Sequence, residues 1–241
     1  RQPASPATRV TDDSPPRWLP GPKARAAVGV AFLASAWWVA WHGSDFGRIG
    51  DLTFFPLWLG YCLTVDGLVF LRRGTSLLTR SRLRYAGLFA LSAPVWWLFE
   101  GLNERLLNWS YQGAEAFTPL QFWAFSTLSF TTVIPAVFGA AELFASFGFV
   151  QRLGRGPVIR PDRRTSLGFF IAGLLMFAAM WIWPRLFFPF VWISIYFITE
   201  PLNIWLGNRH LAQWTARGDW RPVVALWLGV MCTAFFWEMW N

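Results

Sequence analysis

Residues 57–70 read LWLGYCLTVDGLVF, and the acid inside this run decides the class of fold. Asp66 is its only charge, and Arg72-Arg73 follow almost at once. The same situation recurs three times. Glu100 sits in APVWWLFEGLN (93–103), Glu200 in VWISIYFITEPLNIW (191–205) and Glu238 in MCTAFFWEMWN (231–241). An ionisable group at membrane depth is expensive. It persists where it faces a bundle interior, a partner or a water-filled cavity, so each of these acids is a candidate functional residue.

Composition agrees with a membrane setting. The 241 residues are 55% hydrophobic and 14% charged, with 18 Trp and 24 Phe. Apolar runs of about 20 residues separated by basic loops indicate a polytopic helical membrane protein. In lipid the backbone must satisfy its own hydrogen bonds, so an all-α transmembrane helix bundle is expected. The net charge of +8 is concentrated in loops. It fits membrane topology and anionic headgroups, and no nucleic-acid motif accompanies it. Membrane lipids are therefore expected partners and nucleic acid is not.

Several kinds of chemistry find no support. Cys62 and Cys232 lie in apolar segments without a CxxC, and the two histidines, His42 and His210, lie at segment ends or in loops. No phosphate loop, dinucleotide fingerprint, HExxH or nucleophile elbow is present. Neither a metal nor a cofactor is expected.

Seven spans are predicted near 24–42, 53–71, 85–104, 119–148, 166–184, 187–206 and 222–241, with an eighth left open. The fourth is long and carries Pro119 and Pro135, so a bend is expected there. Residues 1–22 hold six prolines and read as a disordered cytoplasmic tail; 23–241 form the transmembrane domain. The chain opens with Arg1 and stops at Asn241 straight after an apolar run, which leads to the expectation that the natural protein extends at both ends. Arginines crowd loops 72–84, 151–164 and 207–221, whereas 43–52 and 105–118 are poor in base. The positive-inside rule then puts the N-terminus and the three arginine-rich loops on the cytoplasmic side of a bacterial inner membrane.

The acids also suggest an internal repeat. Phe54-Phe55-Pro56 precedes Asp66 and Phe187-Phe188-Pro189 precedes Glu200; Asn103 follows Glu100 by three residues, as Asn241 follows Glu238. Segments one to three (24–104) thus match segments five to seven (166–241), with the 119–148 helix linking them. Corresponding spans stand four apart, an even number, so the tandem repeat is parallel, about an axis along the membrane normal. Asp66 lies roughly 9 Å from the inner boundary and Glu100 about 24 Å along its helix, at 1.5 Å per residue. Asp66 and Glu200 form an inner layer, which Glu142 joins, and Glu100 and Glu238 an outer one.

In order, Glu100, Asn103, Trp109, Tyr111, Pro119, Phe122 and Phe125 resemble the repeated unit of the membrane-embedded bacterial and archaeal lycopene cyclases. The resemblance covers roughly residues 85–130. That family's paired glutamates after the proline are not matched, since Leu120-Gln121-Phe122 follows Pro119. The resemblance implies a cofactor-free enzyme that protonates a polyene, with Glu100 or Asp66 as the acid.

The sequence therefore predicts an integral membrane protein handling a lipophilic small molecule, with cyclase or isomerase chemistry on an isoprenoid as its form. Glu100, Glu238, Asp66 and Glu200 are the expected catalytic acids, and Asn103, Asn241, Trp97 and Trp237 the expected substrate contacts. The alternatives are a non-catalytic accessory subunit of a photosynthetic or respiratory complex, for which other membrane subunits are the partners, or a transporter. At the level of single residues, the rival to a chemical role is that each acid bonds Trp, Tyr or Asn and glues helices together. Trp37, Trp38, Trp41, Trp109 and Tyr111 are expected in an interfacial aromatic belt.

Overall fold

The computed structural model describes residues 21–42, 52–111 and 114–240. Asn241 and most of the 1–22 tail lie outside them. The described residues are helical, with no strand among them. The main helices are α1 (Pro22–Trp41), α2 (Phe54–Arg73), α4 (Arg82–Leu106), α5 (Pro119–Phe130), α6 (Val133–Ala145), α8 (Arg163–Ile182), α10 (Phe190–Trp205) and α12 (Arg221–Trp240). Four-residue helices join them: α3 (Leu77–Arg80), α7 (Gly148–Gln151), α9 (Pro184–Phe187) and α11 (Ala212–Thr215).

Four stretches among the described residues are long and apolar enough to cross a membrane: Phe54–Arg73, Pro119–Ala145, Arg163–Ile182 and Arg221–Trp240. Three of the seven expected spans fall short of that standard for separate reasons. In α1 the apolar part is Ala26–Trp41. The 25 residues of α4 include Arg82, Arg84, Glu100, Glu104 and Arg105. α10 has only 16 residues, because Pro184 and Pro189 break the chain just before it. The expected bend in 119–148 is present as the break between α5 and α6 at Thr131-Thr132.

Local sequence sets the helix ends. Ser76 accepts from the Thr79 N–H, and the Thr79 hydroxyl accepts from the Ser76 N–H, closing a capping box on α3. Thr118 and Gln121 do the same for α5. Gly74, at φ 74°, ends α2 in the left-handed region that glycine adopts without a Cβ clash. Asp162 caps α8 by accepting from the Thr165 N–H at 2.8 Å. That bond holds the Asp162 carboxyl below the usual carboxylate range.

Two helix pairs pack closely in the same register. A methyl group at Gly29 would come within 2.6 Å of the Thr64 nitrogen, binding α1 to α2. One at Gly173 would come within 3.0 Å of the Ile198 nitrogen, binding α8 to α10. Thr64 lies two residues before Asp66, and Ile198 two residues before Glu200. In the first half α6 covers the space between α2 and α4. Its Ala136 and Ala140 join Trp58, Tyr61, Cys62, Val65 and Val69 of α2 in the largest buried cluster, with Phe89 of α4 packed against it. α6 also meets α12 so closely that a methyl at Gly229 would fall 2.6 Å from the Ala141 nitrogen. Small residues permit this approach, which is how apolar helices associate without a hydrophobic driving force between them.

Candidate functional site

Three of the four acids accept hydrogen bonds from their own chain. At the end carrying the basic loops, Asp66 Oδ2 accepts from the Ser76 hydroxyl at 2.8 Å and Oδ1 from the Leu78 N–H at 3.0 Å. Asp66 is 5% exposed, so these bonds replace the water it has lost. Glu200, 7% exposed, uses Oε1 to accept from the Ala212 N–H at 2.7 Å, with His210 Nδ1 4.0 Å from the same oxygen. Each acid thus holds an amide twelve residues ahead, at the start of a four-residue helix. At this same end Glu142 of α6 takes both guanidinium nitrogens of Arg80, at 2.6 and 2.9 Å. The pair raises the Arg80 guanidinium further above its ordinary value.

Glu100 stands near the other end, inside a cage of aromatic donors. Its Oε1 accepts from Trp96 Nε1 at 3.1 Å, Trp109 Nε1 at 3.1 Å and the Tyr111 hydroxyl at 2.6 Å; Trp109 also reaches Oε2 at 3.4 Å. Trp96 lies one helical turn before Glu100. Trp109 and Tyr111 arrive from the loop after α4, and Asn103 shapes that loop. Its Oδ1 accepts from the Asn108 N–H at 2.9 Å and the Trp109 N–H at 3.3 Å, and its Nδ2 donates to the Trp109 carbonyl at 2.8 Å. Between them Leu107 is forced to φ 51°, a left-handed conformation costing a non-glycine residue about 1–3 kcal/mol. The Asn103 bonds and the Glu100 cage offset that strain. Trp109 and Tyr111 are therefore half-buried donors to Glu100. Trp38 and Trp41, 63% and 79% exposed, suit the expected aromatic belt.

The remaining predicted site residues are dispersed. Trp97 donates from Nε1 to the Thr127 hydroxyl at 3.0 Å and stacks on Trp123, tying α4 to α5. Trp237 packs on Phe54, Trp58 and Trp96, joining α12 to α2 and α4. Glu238 is exposed, and none of the described residues bonds it. No group of three His, Cys, Asp or Glu side chains suited to a metal occurs among the described residues.

The sequence reading did not anticipate Trp192. It stacks against Trp109 at 6.1 Å between centroids and meets Phe99 at 4.7 Å and Trp96 at 5.9 Å, so it backs the Glu100 cage. Its other side helps line a cavity of about 450 Å³ between α8, α10 and α12, whose wall is almost wholly apolar. Glu200 and Arg160 border the same cavity, as do Val223, Trp227 and Val230 of α12. Glu200 is eight residues beyond Trp192, roughly 12 Å of helix. The sequence did carry one signal for Trp192: it occupies the place relative to Glu200 that Trp58 occupies relative to Asp66. Compared with protein-family models, with curated proteins and with solved structures, the chain matches none of them.

Proposed function

We propose that this chain is an integral membrane subunit, oriented with its arginine-rich loops in the cytoplasm, whose intramembrane acids are latches that hold a scaffold for a partner. The observation that carries this reading is that Asp66, Glu100 and Glu200 each accept hydrogen bonds from the chain itself. A general acid needs a proton aimed at its substrate. At Glu100 the donors come from the protein and converge on the carboxyl, which leaves it the role of acceptor. The recurrence of one pattern supports a parallel tandem repeat: a glycine-packed helix pair, an acid twelve residues before the amide it binds, then a helix with a second acid.

The test separates assembly from turnover. Glu100→Gln keeps the shape but halves the acceptor capacity, so the variant should melt at a lower temperature and be partly lost from any larger assembly on native gels. Undiminished stability and assembly would sink the latch reading.

A second reading is favoured by the cavity. Its apolar wall suits a lipophilic small molecule, and Glu200 at one end and the Trp192 side of the Glu100 cage at the other are the groups such a molecule would meet. On that reading the protein performs isomerase- or cyclase-type chemistry on an isoprenoid. Glu200→Gln, which keeps an oxygen for the Ala212 N–H, should then abolish product formation while the fold survives. Retained turnover excludes it.

A further inference from the structure

We propose that the connections 153–161 and 209–221 form a preassembled cationic surface that binds anionic phospholipid of the cytoplasmic leaflet. The proposal rests on reading the arginine-rich loops as cytoplasmic. It begins with a clamp between two connections far apart in sequence. The Gly156 N–H donates to the Gly218 carbonyl at 2.9 Å, and the Ile159 N–H to the Thr215 carbonyl at 3.1 Å. Trp220 Nε1 donates to the Pro157 carbonyl at 2.8 Å. Gly156 lies so close to that indole that an added methyl would strike it. Gly218, at φ 70°, takes the left-handed conformation that glycine adopts without strain. Positive-inside topology asks for cations in each of these loops, but it does not ask that the loops be bonded together.

The arginines on this clamp are unpaired among the described residues. Arg155, Arg160, Arg163, Arg209 and Arg217 are exposed, and none of their guanidiniums makes a hydrogen bond or ion pair there. The acids at the same end are occupied: Asp162 caps α8, Asp219 holds Arg221 and Glu200 accepts from the Ala212 N–H. The 72–84 loop is as rich in arginine and spends it differently. Arg72 donates to the Ser146 hydroxyl at 2.6 Å, Arg73 to the Ala145 carbonyl at 2.6 Å, and Arg80 to Glu142. One set of arginines is turned onto the protein. The other is held together and left without an anion. Phosphate suits that set, since a guanidinium pairs with it through two parallel N–H bonds. Two features favour a lipid phosphate over an acidic protein segment. Exposed Leu153, Val158 and Trp214 are interleaved with the arginines, as befits a headgroup boundary. Arg160 also borders the apolar cavity wall, so the chain of a lipid whose phosphate it holds continues past apolar surface and not water.

The experiment titrates the full chain, in neutral detergent micelles, with dioleoylphosphatidylglycerol and follows retained lipid by native mass spectrometry. Phosphatidylglycerol should be retained and dioleoylphosphatidylcholine should not. Inorganic phosphate and polyglutamate, at the same concentration of charge, should fail to displace it. Arg155→Gln and Arg217→Gln should each weaken retention about fivefold, the equivalent of about 1 kcal/mol for one cation at a lipid surface. Neither change removes an intramolecular bond, so the melting temperatures without added lipid should match that of the native chain. Arg73→Gln takes the same charge from the same end, but from a guanidinium already bonded to the protein, and should weaken retention much less. Gly156→Leu keeps every arginine while forcing Trp220 away, so it should lower retention at constant net charge. Equal retention of the two lipids, equal losses for Arg73→Gln and Arg155→Gln, or unchanged binding by Gly156→Leu overturns the surface. Displacement by polyglutamate overturns it in favour of an acidic protein segment, and displacement by inorganic phosphate in favour of a free anion. Micelles have no inside, so these results leave the orientation untouched. Labelling of a cysteine at Gly154 from outside intact cells would instead remove the cytoplasmic leaflet, and the orientation it rests on, while the lipid binding stood.

Discussion

Glu100 shows how a single residue organises one end of the molecule. A carboxylate accepts up to four bonds, and here three side chains converge on one of its oxygens. Removing it by Glu100→Ala leaves two indoles and a phenol without their acceptor, at a cost of about 1–3 kcal/mol for a buried donor left unsatisfied. The expected readout is a lower melting temperature together with a red shift of the emission from Trp109, as the loop opens to water. Asn103→Ala should do nearly as much from one turn away, since the strained Leu107 conformation then loses its side-chain support. An unchanged melting curve for both would show that the cage does not hold the loop. At the opposite end Asp66→Asn should be milder than Asp66→Ala, because one amide oxygen can still accept from Leu78 or Ser76.

Helix contact here depends on missing side chains more than on large ones. α6 and α12 touch backbone to backbone at Ala141 and Gly229, and α8 and α10 do so at Gly173. Overpacking such a contact costs about 1–3 kcal/mol. Gly229→Leu should therefore separate α12 from α6 and lower stability, whereas Gly168→Leu, where nothing lies within 4 Å of the added carbon, should be tolerated. Melting temperatures of the purified variants in one detergent decide this, and equal losses would remove the close-packing argument. Ion pairs matter less at this scale. Arg80 is 43% exposed in its bond to Glu142, so a double-mutant cycle on the pair should give only about 0.2–1 kcal/mol. At Asp219 the adjacent Arg221 guanidinium, 2.8 Å away, holds the carboxyl below its usual value. A depressed carboxylate contributes its stability above the unfolded value and loses it as pH falls through the folded one, so the 207–221 connection weakens only on acidification.

At the scale of the whole molecule, the arginine-rich connections and the Asp66 and Glu200 carboxyls share one end, while the Glu100 cage belongs to the other. That arrangement yields a topology prediction. With the positive residues inside, cysteines placed at Gly154 and Arg209 should resist an impermeant thiol reagent applied to intact cells, and one at Ser110 should react. The reverse labelling pattern would turn the protein over. The described residues also enclose a cavity of about 450 Å³ between α8, α10 and α12, bordered by Glu200.

The sequence by itself determined the helical class, the acids worth attention and the places where the spans break. These are local properties: apolar run length, capping residues such as Ser76 and Thr118, and the prolines at 184 and 189 act within a few residues of themselves. Only the tertiary structure decided what each acid bonds. A carboxyl in an apolar run reads the same whether it faces substrate, lipid or its own chain, and the choice depends on loops folding back. Leu78 and Ala212 each lie twelve residues beyond the acid that binds them, and Trp109 lies beyond a left-handed turn at Leu107. The place of Trp192 against the Glu100 cage and the cavity beside it were hidden for the same reason. A surface shared by three helices exists only once those helices have packed, and no periodicity within one segment can announce it.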